Sequence, residues 1–335
     1  MKTLMFSTQS YERPVFEQAA SQFGQEIVFQ KSRLDITTTR LAAGYNAVCA
    51  FVNDDLSTPV LEALSALDIS VVALRCAGFN QVNLETAHQL GIKVVRVPAY
   101  SPESVAEYTL AMILTMNRKI HKAWNRVREG NFNLNGLLGF NLHGKTVGLI
   151  GMGQIGQATA NILNGFGMKV LAFDPGMSDE QLKDAGVESV ALSDLYRRSD
   201  IVSLHCPLNK ATKHIINAEA LACMKPGAML INTSRGALID TEAVTQSLKS
   251  GHLGYLGIDV YEQEGDLFFR DLSEEVIQDD VFQRLLTFPN VVVTGHQGFF
   301  THEALESIAI TTLNNINELE KNGYCENEVG KEKMV

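Results

Sequence analysis

The stretch "GLIGMGQIGQ", Gly148–Gln157, decides the fold. It carries the spacing Gly151-x-Gly153-x-x-Gly156. Glycine is common, so the spacing gains meaning only from its surroundings. "KTVGLI" immediately before it reads as a buried strand, and "QATANILNGFG" immediately after it reads as a helix. A second strand, "KVLAFD", ends on Asp174, eighteen residues beyond Gly156. A strand, a glycine turn, a helix and a strand-end acid form the sequence signature of a dinucleotide-binding unit. In that unit Gly151 permits the tight turn, Gly153 lets backbone approach a pyrophosphate, and Gly156 lets the helix pack on the strand. The helix N-terminus presents N–H groups and positive potential to the phosphates. Asp174 is placed to accept hydrogen bonds from ribose hydroxyls and to repel a 2′-phosphate. Pro175 and Gly176 bring no compensating cation, so the expected cofactor is NAD rather than NADP.

Working outward from that motif, strand-like and helix-like runs alternate along the chain. Ahead of it we read strands in "TLMFS", "EIVFQ", "AVCAFV", "SVVAL" and "KVVRV". Behind it come "DIVSLHC", "AMLINTS", "YLGIDV" and "NVVVTG". Such apolar, β-branched runs separated by helices predict buried parallel strands. The expectation is two α/β units meeting at about residue 100, in line with a prior of roughly 150 residues per domain for 335 residues. At the join, Ser101 and Pro102 fit an N-cap and a first helical position. Val105, Tyr108, Thr109, Met112, Ile113, Met116 and Ile120 then recur at helical spacing and predict one helix of about 20 residues. Thr301 to Lys321 predicts another long helix.

The composition is that of a globular chain, 45% hydrophobic and 20% charged. A net charge of −10 argues against nucleic acid or an anionic membrane as partner. The N-terminus is not a signal peptide, and the longest uncharged apolar stretch, Tyr108 to Asn117, is too short to span a bilayer. The five scattered cysteines form no CxxC pair, so we expect reduced thiols in a cytoplasmic protein and no metal site.

In an open α/β sheet, ligands bind beyond the carboxyl ends of the strands. Four strand ends after the glycine motif carry polar or reactive groups. They are Cys206-Pro207, Thr233-Ser234-Arg235, Asp259 with Glu264, and His296 followed by Phe299. An arginine can grip a carboxylate in a bidentate fork. A histidine moves a proton near neutral pH, and a neighbouring carboxylate fixes its tautomer. Beside a nicotinamide, this set suits hydride transfer to a carbonyl with His296 as proton donor.

With those residues in view, the chain resembles the D-2-hydroxyacid dehydrogenases over essentially its whole length, and most closely their D-lactate branch. The matching segments are "GLIGMGQIGQ", "INTSRGALID", "GIDVYEQE" and "TGHQGFFTHEA". The resemblance implies NADH-dependent, reversible reduction of pyruvate to D-lactate. Arg235 would bind the carboxylate and polarise the carbonyl, His296 would be the acid/base and Glu264 its partner. It implies NAD contacts at Gln154, Ile155, Asp174, Cys206, Pro207, Thr212, Thr233 and Ser234, besides the glycines and Arg235, with Asp259 supporting the site and cofactor region. The implied fold is a flavodoxin-like substrate domain, residues 1–99 plus 300–335, with a Rossmann NAD-binding domain, residues 100–299, inserted in it and the substrate between them. "RCAGFNQVN" resembles a loop whose N–H groups at Ala77 and Gly78 meet the substrate carboxylate, and Tyr100 and Phe299 would shape a small pocket. The counterpart of the helix after Ser101 lies at a twofold interface, implying a homodimer or homotetramer. The sequence departs from the wider family in Gly295 before His296, in Cys76, and in Asn80 and Asn83, departures that point to the lactate branch. Two other readings remain open: a reductase of hydroxypyruvate, glyoxylate or a bulkier 2-keto acid, and an NAD-binding corepressor-like protein.

Overall fold

In the computed structural model, which describes residues 1–330, the chain forms two compact units. One comprises Met1–Ser101 with residues 300–330, and the other is Pro102–Phe299. Residues 331–335, included in the expected substrate domain, lie outside the described residues.

The first unit is built on β1 (Lys2–Met5), β2 (Glu26–Phe29), β3 (Ala47–Ala50), β4 (Val71–Leu74) and β5 (Lys93–Val95). All pairings are parallel and the order is β2-β1-β3-β4-β5, the flavodoxin-like arrangement. β3 and β4 are buried along their whole length, as continuous apolar runs require. Leu4, Val48, Val72 and Leu74 share one core with Leu61 and Leu64 of the helix Thr58–Ser65. Arg75 follows β4 and is fully buried. Its Nε donates to Glu12 Oε1 at 2.8 Å, and Nη2 donates to the Ser7 carbonyl at 3.0 Å. Removing either partner of such a pair costs about 3–5 kcal/mol, because a charge is left behind without compensation.

The second unit holds β6 (Thr146–Ile150), β7 (Lys169–Phe173), β8 (Glu188–Ser189), β9 (Ile201–Leu204), β10 (Met229–Asn232), β11 (Tyr255–Ile258) and β12 (Val291–Val293). The sheet is parallel throughout, in the order β12-β11-β10-β9-β6-β7-β8. Alternate side chains serve opposite faces. Leu230 and Leu256 enter one core, whereas Leu149 and Ile231 enter the other with Met112 and Ile113. The strand order reverses between β6 and β9, so the crevice for a ligand opens beyond Ile150 and Leu204.

The helix after Ser101 is shorter than its apolar spacing suggests. It spans Pro102–Arg118, Lys119 takes a left-handed φ of 50°, and a new helix runs over Ile120–Arg128. Ile120, expected on the buried face, is 60% exposed. A distant segment ends the helix. The Asn117 amide donates to the Phe140 carbonyl at 2.7 Å and accepts the Phe140 N–H at 2.8 Å. The C-terminal helix spans His302–Asn322, capped by the Thr301 hydroxyl, which accepts the Ala304 N–H.

Candidate active site

The glycine loop occupies the crevice end of β6. Gly151 has φ 96°, a left-handed conformation that a side chain disfavours, and a Cβ there would lie 2.6 Å from the Cys206 nitrogen. A Cβ on Gly156 would lie 2.2 Å from the Gly151 carbonyl oxygen, so the helix closes on the loop itself rather than on the strand. Gly153 has open space where its Cβ would be. It precedes the helix Gln154–Gly165, whose first residues, Gln154 and Ile155, are exposed and half-buried. Backbone N–H groups at a helix start, bare of side chain, fit a pyrophosphate.

Asp174 follows β7, as the spacing predicts. Its Oδ2 accepts the Met152 N–H at 2.7 Å and its Oδ1 accepts the Gly176 N–H at 2.8 Å. The carboxylate therefore ties the glycine loop to the end of β7, and each oxygen keeps a further lone pair for a ribose hydroxyl.

On the other side of the crevice, Cys206 is buried, and burial pushes its thiol up to about 11. Pro207 is exposed. The Thr212 hydroxyl turns back into its own loop, donating to the Pro207 carbonyl at 2.6 Å and accepting the Asn209 N–H at 2.9 Å. Thr233 shares a 2.9 Å hydroxyl contact with Thr109, and Ser234 Oγ donates to the Cys206 carbonyl at 2.8 Å.

Arg235 stands just beyond β10, half-buried, with Nη1 donating to the Ser234 carbonyl at 2.7 Å. No carboxylate pairs with it among the described residues, so its charge is available to an anion. Asn232, which belongs to no motif, shapes this turn. Its amide donates to the Arg235 carbonyl at 2.8 Å and accepts the Ser234 N–H at 3.0 Å. An asparagine closing an otherwise apolar buried strand was the available signal. Gly236 is a second residue that shapes the turn. A Cβ there would lie 2.0 Å from the Tyr261 carbonyl carbon and 2.2 Å from the Glu262 nitrogen, so the arginine turn rests directly on the β11 loop.

That loop delivers Glu264, which opens a short 3-10 turn. Its Oε2 accepts the Tyr261 N–H at 3.1 Å, and its Oε1 lies 2.7 Å from His296 Nδ1. The two side chains are only 15% and 18% exposed. A carboxylate at Nδ1 assigns the proton there, which leaves Nε2 to exchange a proton with a ligand. His296 has φ 53°, an uncommon conformation for a side-chain-bearing residue, and Phe269 and Phe299 flank its ring at 5.7 and 6.4 Å.

Asp259 holds the histidine turn in that conformation. Its main-chain carbonyl accepts the His296 N–H at 2.7 Å. Its buried carboxylate accepts Thr294 Oγ1 at 2.6 Å and the Gln297 N–H at 2.9 Å on Oδ1, and the Gly298 N–H at 2.7 Å on Oδ2. Burial pushes this carboxyl above the usual range, and those donors with the nearby His296 oppose the shift. The carboxylate is engaged with the 294–298 turn.

In the first unit, the loop after β4 carries Ala77 and Gly78. The Ala77 carbonyl accepts Arg96 Nη1 at 2.7 Å, and Cys76 Sγ contacts the Gly78 carbonyl at 3.2 Å. Tyr100 is half-buried at the end of this unit, and Phe299 closes the other.

Residues 110–298 match the family model described as "D-isomer specific 2-hydroxyacid dehydrogenase, NAD binding domain". The D-lactate dehydrogenase of Escherichia coli strain K12 is 52% identical over 98% of this chain and all of its own length. The apo-structure of the E. coli D-lactate dehydrogenase superposes with a TM-score of 0.89 at 49% identity, covering 98% of this chain and 100% of that one. The Aquifex aeolicus D-lactate dehydrogenase, solved with NAD and lactic acid, gives 0.85 at 32% identity, covering 96% of both chains. With a cofactor crevice and a paired histidine and glutamate of the kind described above, the chain belongs to the D-isomer-specific 2-hydroxyacid dehydrogenases, NAD-dependent oxidoreductases.

Proposed function

We propose that the protein reduces pyruvate to D-lactate with NADH, and runs the reverse reaction when lactate and NAD are in excess. The observation that carries this reading is the 2.7 Å His296–Glu264 pair, which joins the loops after β12 and β11, beside an arginine at the end of the next strand, β10, that has no carboxylate partner among the described residues. Arg235 binds the carboxylate of the keto acid and polarises its C2 carbonyl. His296 gives its Nε2 proton to the carbonyl oxygen, and in the reverse direction takes the hydroxyl proton back. Glu264 holds the imidazole in the required tautomer and offsets its charge. NADH, when bound, supplies the hydride that arrives at C2. The glycine loop, Gln154, Ile155 and Asp174 hold the cofactor, with Cys206, Pro207, Thr233 and Ser234 along the opposite wall. Thr212 and Asp259 contribute by shaping the loops that carry these contacts.

The names of the similar proteins support lactate over other 2-hydroxy acids. The test is NADH oxidation with a panel of 2-keto acids, followed by chiral analysis of the product. Pyruvate should lead and D-lactate should form. Preference for hydroxypyruvate, glyoxylate or phenylpyruvate would move the assignment within the family, and NADH binding without turnover of any keto acid would favour the corepressor-like reading.

The same proposal includes a cytoplasmic homo-oligomer. No helix among the described residues is long and apolar enough to cross a membrane. Trp124, Phe132, Leu134 and Leu138 are 59–86% exposed along one segment, an apolar surface suited to a second copy of the chain. Sedimentation showing only a 36.8 kDa species at micromolar concentration would refute the oligomer.

A further inference from the structure

At the end of the seven-stranded sheet opposite the glycine loop lies an open pocket of about 660 Å³. It lies where β6, β9, β10, β11 and β12 begin, so it is separate from the cofactor crevice at their other ends. Lys119, Lys122, Lys145 and Lys225 line it, with His121, and Asp200 is the single carboxylate among the lining residues. Lys225 Nζ pairs with Asp200 Oδ1 at 2.9 Å. The other three lysines make no ion pair within 4 Å among the described residues, although Lys145 stands near enough to Asp200 to help lower its carboxyl. Lys119 donates to the Leu138 carbonyl at 3.0 Å, Lys122 donates to the Pro289 carbonyl, and Lys145 stands 5.9 Å from the Phe140 ring centroid. Carbonyls and a ring face attract an ammonium group without neutralising it. The cavity therefore carries about three uncompensated positive charges on a chain whose net charge is −10.

The cations work against one another. Burial, then Lys119 and Arg126, hold the Lys122 ammonium below its ordinary range, while burial and Lys122 do the same to His121. An anion in the cavity would relieve this repulsion and supply acceptors to the lysines.

We propose that this cavity is a binding site for a compact, multiply charged anion, a di- or triphosphate group or a tricarboxylate. Its volume exceeds that of a single phosphate, and four lysines against one carboxylate match two or three negative charges.

Two probes represent the two sources of that chemistry, inorganic pyrophosphate and tricarballylate. Each is titrated calorimetrically into the intact protein at constant ionic strength. NADH is kept saturating, so that the glycine loop cannot take the pyrophosphate. We expect saturable binding of at least one probe, with one site per chain. Lys119→Gln/Lys145→Gln should weaken it by about tenfold or more, the loss of two charge-assisted contacts. Lys119→Arg/Lys145→Arg keeps both charges and should retain most of the affinity. Both variants should oxidise NADH with pyruvate at the wild-type rate when no anion is added, which shows that they are folded. Pyrophosphate binding alone assigns the site to phosphate groups, and tricarballylate binding alone assigns it to carboxylates. Failure of both probes, or binding that survives the double Gln variant unchanged, would overturn the proposal. Since these readouts do not depend on which keto acid is reduced, failure here leaves the catalytic assignment standing.

Discussion

Asp259→Asn should separate a group that positions the histidine turn from one that touches the cofactor. The substitution keeps size and removes one charge. In the wild-type protein the Gln297 N–H points at Oδ1 and the Gly298 N–H at Oδ2. Both are strict donors, one on each oxygen. An amide has a single acceptor oxygen, so whichever way it flips, its NH2 group meets a main-chain N–H. One charge-assisted hydrogen bond is lost and one buried donor is left opposite another donor. Together these cost about 2–4 kcal/mol of stability. In a unit of this size each kcal/mol moves the melting temperature by roughly 2–4 °C, so a fall of roughly 5–15 °C is expected. The turn concerned carries His296 at φ 53°, and its relaxation would move the imidazole off the reacting position. A displacement on the order of 1 Å costs about 10²-fold in rate. The assay pairs thermal unfolding with kcat/KM for pyruvate, and adds an NADH titration. Thr294→Val is the control. It removes only the hydroxyl donor, leaves both N–H bonds in place, and should cost about 1 kcal/mol. Unchanged melting temperature and rate in Asp259→Asn would refute the reasoning. Weaker NADH binding with unchanged melting temperature would make Asp259 a cofactor contact instead.

Asp174→Ala removes the acceptor of two loop N–H groups together with the expected ribose contact. NADH affinity should fall by about 1.5–3 kcal/mol and the gap to NADPH should narrow, measured by fluorescence titration. Equal use of both cofactors by the wild type would contradict this role. Arg235→Lys keeps the charge but loses the planar fork, so KM for pyruvate should rise roughly ten- to a hundredfold while NADH affinity holds. Unaltered pyruvate kinetics would remove Arg235 from the substrate. Burial holds the His205 imidazole down to about 4, below its unfolded value of about 6.5. The unfolded chain therefore takes the proton more readily, so this contribution to stability is full above pH 6.5 and is lost as the pH falls toward 4. His205→Gln should reduce the drop in urea midpoint between pH 7 and pH 5, and an identical drop in both proteins would exclude His205 as its source.

Much of this architecture is legible in local sequence because local physics dictates it. "VVAL" and "AMLIN" become buried parallel strands since continuous β-branched and apolar runs have few other solutions. Gly151 and Gly156 are required by contacts of 2.6 and 2.2 Å that no side chain could survive. Arg235, Glu264 and His296 stand out as strand-end polar groups. What escaped the sequence depends on distant partners. The apolar spacing runs through Ile120 without interruption, yet Asn117 and Phe140 end the helix from twenty-three residues apart. Glu188–Ser189 has no apolar run and is a strand only by its pairing with β7. Asp259 is expected to support the site, but its particular partners, N–H groups thirty-eight and thirty-nine residues further on, are not visible in local sequence. The Thr212 hydroxyl bonds within its own loop, donating to Pro207 and accepting from Asn209, which residue identity alone does not disclose.

The contact beneath Gly236 sets a limit on how this centre can vary. The arginine turn and the loop leading to Glu264 touch main chain to main chain, with no room for even a methyl group. Their spacing is therefore fixed by the thickness of two peptide groups and does not depend on any rotamer. With the roles proposed for Arg235 and Glu264, the anchor for the substrate and the partner of the histidine form one rigid gauge. Keto acids of different bulk would then be accommodated by changing the walls around them, while the ruler that aligns carboxylate with proton stays the same length.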